Sequence, residues 1–421
     1  MSSTERALIG AIESVPGTPR VVASGNFATP FALLTLVDKS LETYTLNMLN
    51  AQPGIPTRDG VIHESSFVGA GMRDSDTLRY VPSRLSLLPL LFRSSLPPDV
   101  VVLHTSLPHN GLVSLGTEVN VLPAAVEEVR RRGGLVLAQM NARMPYTFGD
   151  AELPLDLIDH SIEVDEPMAS PGQIVIDDTA RVIGQRIAER VPDGAVIQTG
   201  IGAVPDATLM ELTKHRGLSI WSEMFSDGVL ALDRAGALDP TAHVTASFVF
   251  GSAELYSWVH RNKRVRLQRT EKTNDPAIIK LKKQMVSVNS ALQVDLYGQA
   301  NASRLGRRIY SGIGGQSDFV VGAMHAPGGQ ALIALRSWHP RADCSTIVPL
   351  VDEPVTSFQM TAVVTEQGVA EVSGQDQRTQ ASNLITHAAH PRVREELWEE
   401  AAALKLVTTT ARTLGPSGLR R

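Results

Sequence analysis

The hydrophobic residues of this chain fall in short continuous runs, and turn residues or helical stretches separate one run from the next. The clearest strand candidates are residues 100–103, 218–221, 244–250, 286–288 and 363–365. A run that is apolar at consecutive positions is typical of a strand that is buried on both faces of a sheet. The pattern therefore predicts an α/β fold with open, mostly parallel sheets covered by helices, and an active site at the carboxyl ends of the strands.

Two parts of the chain share the same order of predicted elements. In residues 21–25 and 195–200 an apolar strand ends at a glycine, and Pro30 or Pro205 follows five residues later at a predicted helix start. Glycine permits the tight turn, and proline suits the first turn of a helix. We interpret the chain as two related α/β domains. The alternative is that any two α/β domains share this spacing of strand, glycine and helix.

The predicted boundary between these domains lies in the acidic stretch 150–170, which contains no Lys or Arg and ends near Pro167 and Pro171. Such a composition suits an exposed crossing between domains. We expect an N-terminal domain of residues 1–168 and a C-terminal domain of residues 169–421 that carries the catalytic residue. Residues 415–421 are predicted to form a loose tail.

Composition narrows the class of protein. Hydrophobic residues make up 43% and charged residues 20% of the 421 positions, which is typical of a globular protein. The net charge of −5 gives no reason to expect a nucleic-acid or membrane-surface partner. The single cysteine, Cys344, excludes an intrachain disulfide and a cysteine zinc cage. No signal peptide and no apolar run of about 20 residues is evident, so we expect a cytoplasmic protein.

Several common nucleotide-binding and metal-binding motifs are incomplete or absent in the sequence. Gly200-Ile201-Gly202 and Gly312-Ile313-Gly314 both lack the third glycine of a dinucleotide-binding loop. The sequence contains no Gly-Lys-Ser/Thr of a P-loop and no His-Glu-x-x-His. The 11 histidines are scattered, and scattered histidines are more often packing or surface residues than metal ligands. We therefore predict no metal site.

Glu223 is the strongest catalytic candidate. It follows the predicted strand 218–221 and is flanked by Trp221, Met224 and Phe225. A carboxylate at the end of a buried strand is costly unless it is hydrogen-bonded or reactive. The alternative is a turn or helix-capping segment around Asp227-Gly228.

The glycine-rich loops are the second candidate feature. Residues 312–316 (Gly-Ile-Gly-Gly-Gln) follow a predicted strand, as residues 200–202 (Gly-Ile-Gly) do. Backbone N–H groups in such loops can form an oxyanion hole. The alternative is an ordinary glycine-rich turn.

Four segments together resemble a known family. They are GIGAVPDA (200–207), SEMFSDG (222–228), SGIGGQSDF (311–319) and VVTEQGVA (363–370). In this order they resemble the acetyl-CoA hydrolase/transferase family, and the chain is similar to its 4-hydroxybutyrate and butyryl/acetate CoA-transferases. The resemblance implies two α/β domains with the active site between them, and a glutamate nucleophile at Glu223.

The resemblance also implies the reaction. Because free Glu has a pKa near ~4.3, we expect Glu223 to be ionised at pH 7 without an activating base. Its carboxylate attacks an acyl-CoA thioester, and the resulting anhydride becomes a glutamyl-CoA thioester that a second carboxylic acid consumes. Our candidates for the oxyanion and acyl site are Gly200, Ile201, Gly202, Gly314, Gly315 and Gln316.

We also assign residues to the binding of coenzyme A. The stretch 261–283 is strongly basic, and Arg261, Lys263 and Arg264 are candidates for holding the CoA phosphates. The alternative is a solvated basic helix face. Gly312 and Asn289 are further candidates for CoA contacts.

Three functions remain open from the sequence. The first is a CoA-transferase that acts on a short-chain acyl-CoA and a carboxylic acid, with no tightly bound cofactor. The second is an acyl-CoA hydrolase, in which water consumes the covalent intermediate on the same glutamate. The third is a CoA-binding protein without turnover. We expect a homodimer in each case.

Overall fold

The computed structural model describes residues 3–172 and 175–407, and helices pack against two large sheets. The α-helices are Ser3–Glu13, Phe31–Ser40, Leu88–Arg93, Leu122–Arg132, Asp178–Ala188, Ala203–Glu211, Asp227–Arg234, Ala253–Val259, Thr270–Thr273, Pro276–Ile279, Gln316–His325, Gln377–Asn383 and Arg394–Ala403. Among the described residues no helix is long and apolar enough to cross a membrane. The predicted tail 415–421 lies outside the described residues.

The first sheet has seven strands, and every neighbouring pair in it is parallel. Its strands, in spatial order, are His160–Val164, Leu135–Asn141, Val100–Ser106, Arg20–Ala23, Tyr44–Asn47, Val61–Ser65 and Arg79–Tyr80. The central strands are apolar at consecutive positions, as Val100–Leu103 shows, and are fully buried. This agrees with a sheet that is covered on both faces.

The second sheet has nine strands, and only the pair at one edge is antiparallel. Its strands, in spatial order, are Val369–Glu371, Ala362–Val364, Gln330–Ala334, Met285–Asn289, Val196–Thr199, Ser219–Trp221, Val244–Ala246, Val265–Leu267 and Phe148–Gly149. The last of these precedes the predicted domain boundary in the chain but belongs to the second sheet.

Both sheets have the same strand order about a central strand. In the first sheet this strand is Arg20–Ala23, and in the second it is Val196–Thr199, which is the first strand of that sheet after the edge strand Phe148–Gly149. In each, the next three strands of the sheet along the chain lie on one side, and the following ones lie on the other side. The prediction of two related, mostly parallel α/β domains is therefore confirmed. In such sheets ligands bind outside the carboxyl ends of the strands at the point where the strand order reverses.

Short strands connect and cover the sheets. They are Leu112–Ser114, Glu152–Pro154, Met224–Phe225, Phe248–Val249, Gln293–Asp295, Ala300–Asn301, Arg304–Leu305, Arg308–Ile309, Trp338–His339, Cys344–Ser345 and Ile347–Val348.

The largest hydrophobic cluster runs through both domains, since it contains Val136 of the first sheet and Ile197 of the second. The acidic stretch 150–170 is only partly a connection between the domains, because its residues His160–Val164 form an edge strand of the first sheet. The boundary at residues 168 and 169 stays a prediction.

Candidate active site

Glu223 lies directly beyond the carboxyl end of the strand Ser219–Trp221. The next residues form the short strand Met224–Phe225, which pairs in parallel with Phe248–Val249. The carbonyl oxygen of Glu223 accepts hydrogen bonds from the N–H groups of Ser247 (2.8 Å) and Phe248 (3.1 Å). The main chain of Glu223 is therefore fixed by two donors from one neighbouring segment.

The side chain of Glu223 reaches a cavity of about 220 Å³. The cavity is lined by Phe67, Gln198, Thr199, Gly200, Glu223, Met224, Asn289, Ser290, Ala302, Ser311, Gly312, Ile313, Gly314, Gly315, Gln316 and Phe319. It opens where Val196–Thr199 and Met285–Asn289 lie side by side, which is the point where the strand order of the second sheet reverses. Phe67 is a first-domain residue, so the site lies between the two domains.

Two donors hold the carboxyl group of Glu223. The side-chain amide of Asn274 donates to Oε2 at 2.9 Å, and the backbone N–H of Gly315 donates to the same carboxyl group. A Cβ atom at position 315 would overlap both Glu223 Oε2 and Asn274 Nδ2. A side chain at position 315 would therefore force the ends of the Glu223 and Asn274 side chains to move, which favours glycine here.

A chain of hydroxyl groups fixes the orientation of the Asn274 amide. The Thr273 hydroxyl donates to Asn274 Oδ1 at 2.8 Å, and the same hydroxyl is hydrogen-bonded to Ser247 Oγ. Ser247, Thr273 and Asn274 are all fully buried. Because Oδ1 is occupied by a donor, the NH₂ group of Asn274 must face Glu223.

Burial raises the pKa of Glu223 to about 7. The hydrogen bond from Asn274 opposes this shift, the nearby Asp318 carboxyl adds to it, and the Gly315 N–H opposes it again. The nucleophilic carboxylate form of Glu223 therefore gains population as the pH rises through the neutral range.

Asp318 connects the glycine loop to the first domain. Its carboxyl group is fully buried, and it accepts hydrogen bonds from the Ser86 hydroxyl (2.9 Å) and the Ser86 N–H (3.3 Å). Arg84 Nη1 lies 3.8 Å from Asp318 Oδ1. Burial raises the pKa of Asp318 to about 6. The first turn of helix Gln316–His325, which follows the loop, is thus held from across the domain boundary.

The glycine loop itself also contacts the first domain. The N–H of Val68 donates to the Ser311 carbonyl at 2.7 Å. Gly314 has a φ of 59°, and a Cβ there would lie 2.9 Å from the Phe67 ring. The left-handed φ and the close aromatic ring both favour glycine at this position.

The structure places six of the predicted acyl-site and CoA-site residues on the cavity, namely Gly200, Asn289, Gly312, Gly314, Gly315 and Gln316. Ile201 is 42% exposed and Gly202 precedes helix Ala203–Glu211, and neither lines the cavity. The side-chain amide of Gln316 donates to the Ser290 carbonyl at 3.1 Å.

Asn289 belongs to a polar cluster at the same strand ends. Its Nδ2 donates to Ser287 Oγ (2.8 Å) and to Gln198 Oε1 (3.1 Å). The Ser287 hydroxyl donates to the same Gln198 oxygen at 2.6 Å. These bonds join the two strands at the reversal point and hold the floor of the cavity.

Arg261, Lys263 and Arg264 precede the strand Val265–Leu267, whereas Glu223 follows a strand that runs parallel to it in the same sheet. The three residues therefore lie at the amino end of their strand, and Glu223 lies at the carboxyl end of its own. Their assignment to the CoA phosphates stays a prediction. Arg264 is already paired with Asp233 at 2.7 Å.

Sequence reasoning missed three side chains that shape the site, namely Asn274, Asp318 and Phe67. Asn274 is 51 positions from Glu223, and it sits within the stretch 261–283 that was interpreted only for its charge. Asp318 was quoted only as part of a glycine motif. Phe67 gave no signal, because only the packing of the two domains brings it to the cavity.

The fold and the site define a class of protein, in which two related α/β domains hold a buried glutamate beside a glycine loop at a sheet reversal point. Residues 251–401 match the family model of the acetyl-CoA hydrolase/transferase C-terminal domain. The 4-hydroxybutyrate coenzyme A transferase of Clostridium kluyveri is 34% identical, with 93% of this chain and 95% of that protein aligned. The chain belongs to the acetyl-CoA hydrolase/transferase family.

Two further comparisons extend this result. The solved structure of a 4-hydroxybutyrate CoA-transferase from Porphyromonas gingivalis is similar with a TM-score of 0.80 and 31% identity, over 96% of this chain and 97% of that one. An acetyl-CoA hydrolase of Kluyveromyces lactis is 30% identical over 46% of this chain and 38% of that protein.

Proposed function

We propose that the protein is a CoA-transferase that moves coenzyme A between a short-chain acyl-CoA and a carboxylic acid through a covalent intermediate on Glu223. The observation that carries the proposal is the placement of this carboxyl group, which is desolvated, bound by Asn274 and Gly315, and open to a small cavity. Relatives named as CoA-transferases support it.

The first half-reaction begins when the Glu223 carboxylate attacks the thioester carbonyl. A C–O bond forms, the C–S bond breaks, and a mixed anhydride and CoA thiolate result. The thiolate then attacks the Glu223 carbonyl carbon and expels the original acid as its carboxylate. The product is a glutamyl-CoA thioester. A second carboxylate reverses these steps and leaves as the new acyl-CoA.

Asn274 and Gly315, which bind the Glu223 carboxylate, can also stabilise the charge that develops when the covalent intermediate reacts. When thiolate attacks the Glu223 carbonyl carbon, negative charge develops on a Glu223 oxygen. Asn274 Nδ2 lies 2.9 Å from Oε2, and the Gly315 N–H donates to the same carboxyl group. Such prearranged donors stabilise an oxyanion without reorganisation. Gly200 and Gly314 line the same cavity, and their N–H groups are our candidates for the oxyanion on the acyl carbonyl.

The competing function is acyl-CoA hydrolysis at the same glutamate, and the similarity to an acetyl-CoA hydrolase favours keeping it as the second candidate. The two differ in whether water or a carboxylic acid consumes the covalent state. Thiol release from acetyl-CoA or butyryl-CoA, measured with and without added carboxylate, separates them. Release that needs no acid acceptor would establish the hydrolase instead.

Covalent catalysis is tested by mass spectrometry of the protein after incubation with acyl-CoA, with and without borohydride. We expect a CoA adduct, or its reduced form, on the peptide that contains residues 222–227. The variant Glu223→Gln should show neither. The variant Glu128→Gln is the matched control, because Glu128 is a carboxyl group paired with Arg131 on a helix of the first domain and does not line the cavity. An unmodified 222–227 peptide under turnover conditions would refute the mechanism.

The remaining expectations stay predictions from the sequence. They are the homodimer, the cytoplasmic location and the lack of a tightly bound cofactor. The assignment of Arg261, Lys263 and Arg264, which precede the strand Val265–Leu267, to the CoA phosphates also stays a prediction.

A further inference from the structure

Glu118 is a buried carboxyl group of the first domain that the proposed mechanism does not use. It is 2% exposed. Its two oxygens accept hydrogen bonds from the side-chain amides of Asn26 (2.8 Å) and Asn120 (2.9 Å). The Asn50 amide in turn donates to Asn26 Oδ1 at 3.1 Å. One carboxyl group therefore organises a chain of three asparagine side chains.

All three asparagines have left-handed backbone conformations, with φ values of 46° at Asn26, 46° at Asn50 and 37° at Asn120. Such conformations are uncommon for residues with a side chain, and they persist where surrounding contacts hold them. The contacts here include Glu118, because it binds the side chains of two of the three turns directly. Strained turns of this kind concentrate at functional sites.

The Glu118 segment also holds the main chain that bears Glu223. The N–H of Val119 donates to the Ser247 carbonyl at 2.9 Å, and Glu118 forms an antiparallel bridge with Phe248. Ser247 and Phe248 are the two residues whose N–H groups bind the Glu223 carbonyl. The first domain therefore binds Ser247 and Phe248, and these two residues in turn hold the main chain of Glu223.

The other end of the asparagine chain reaches the cavity wall. The N–H of Asn50 donates to the carbonyl of Phe67 at 2.6 Å, and Phe67 lines the cavity. Beside Asn26, the Phe27 ring stacks on Phe250 with centroids 3.4 Å apart and planes 11° apart. The asparagine chain therefore reaches the cavity wall through Asn50 and Phe67, and the turn at Asn26 packs against the second domain through Phe27 and Phe250.

We propose that Glu118 is a positioning residue for the reaction at Glu223. Its carboxyl group joins the turns at Asn26 and Asn120, and so fixes both the main chain of the nucleophile and the Phe67 side of the cavity. This inference rests on the proposed function, since it assigns Glu118 a part in the same reaction. Both donors are neutral amides, so the contact depends on acceptor geometry rather than on an ion pair.

The test compares two substitutions of Glu118. Glu118→Gln keeps the length and one acceptor, and its new NH₂ group finds an acceptor in Asn120 Oδ1, which has no partner in the structure. Glu118→Ala removes both contacts. We expect Ala to lower kcat about tenfold or more with the KM for acyl-CoA within about twofold, because small misplacements of a nucleophile act on kcat. We expect Gln to restore kcat to within about threefold of wild type.

Asn26→Gly keeps the test valid if the alanine variant does not fold. Glycine adopts a φ of 46° without strain, so this variant removes only the amide contacts. We expect a loss of kcat several-fold in size with an unchanged melting temperature. Glu128→Gln should have wild-type kcat.

The outcomes separate cleanly. Wild-type kcat in Asn26→Gly or in a folded Glu118→Ala overturns the inference, as does a Gln variant as slow as the Ala variant. If wild-type protein itself forms no adduct on residues 222–227, the proposed function fails. If wild type forms the adduct and Asn26→Gly forms it equally fast, only the role of Glu118 fails.

Discussion

Replacement of Gly315 by alanine tests the geometry of the site most directly. The backbone at Gly315 has φ −93° and ψ −4°, which alanine adopts, so the substitution introduces no backbone strain of its own. The added methyl group overlaps Glu223 Oε2 and Asn274 Nδ2. To remove the overlap the carboxyl group must shift on the order of 1 Å. Such a displacement costs about 100-fold in rate, or about 2.7 kcal/mol of barrier height.

The assay is the steady-state kcat for CoA exchange, together with the rate at which the 222–227 peptide acquires CoA. Both should fall about 100-fold in Gly315→Ala. The matched control is Gly10→Ala, because a Cβ at Gly10 meets nothing within 4 Å on the helix Ser3–Glu13. A folded Gly315→Ala protein with kcat within about threefold of wild type would show that Glu223 does not react from the observed position.

Three other measurements follow from the site. The kcat/KM for acyl-CoA should rise as the pH is raised from 6 to 8, because the carboxylate is the nucleophile and burial raises the pKa of Glu223 to about 7; a flat profile down to pH 5 would contradict this. Thr273→Val should lower kcat about tenfold with little change in KM, since it removes the hydroxyl that orients Asn274, and wild-type kcat would show that the orientation is set elsewhere. Arg261→Glu with Lys263→Glu should raise the KM for acyl-CoA if these residues hold the CoA phosphates, and a KM unchanged within about twofold would remove that assignment.

The residues of the site that directly follow a strand could be predicted from the sequence. Consecutive apolar residues predict buried parallel strands, and chemistry at their carboxyl ends follows from the topology of such sheets. Glu223 and the glycines of residues 312–315 were found in this way, with the family resemblance to support them. The structure brings them to one cavity.

Two features of the site depend on more than the order of residues along the chain. Asn274 was missed because it follows the short helix Thr270–Thr273, and no periodic pattern marks its approach to Glu223. The pKa of free Glu contains no contribution from burial, whereas burial raises the pKa of Glu223 to about 7.

The two domains divide the requirements of the reaction. The second sheet supplies the nucleophile and its donors, since Glu223, Asn274 and Gly315 all follow the predicted boundary. The first domain supplies their positions, through Ser86 bound to Asp318 and through the Glu118 segment bound to Ser247. The contact of Ser86 with Asp318 holds the helix that follows the glycine loop, and the contact of the Glu118 segment with Ser247 holds the Glu223 main chain. A relative motion of the domains would therefore release the contacts that the first domain makes with the glycine loop and with the Glu223 main chain, so packing between the domains is a condition for the chemistry and not only for stability.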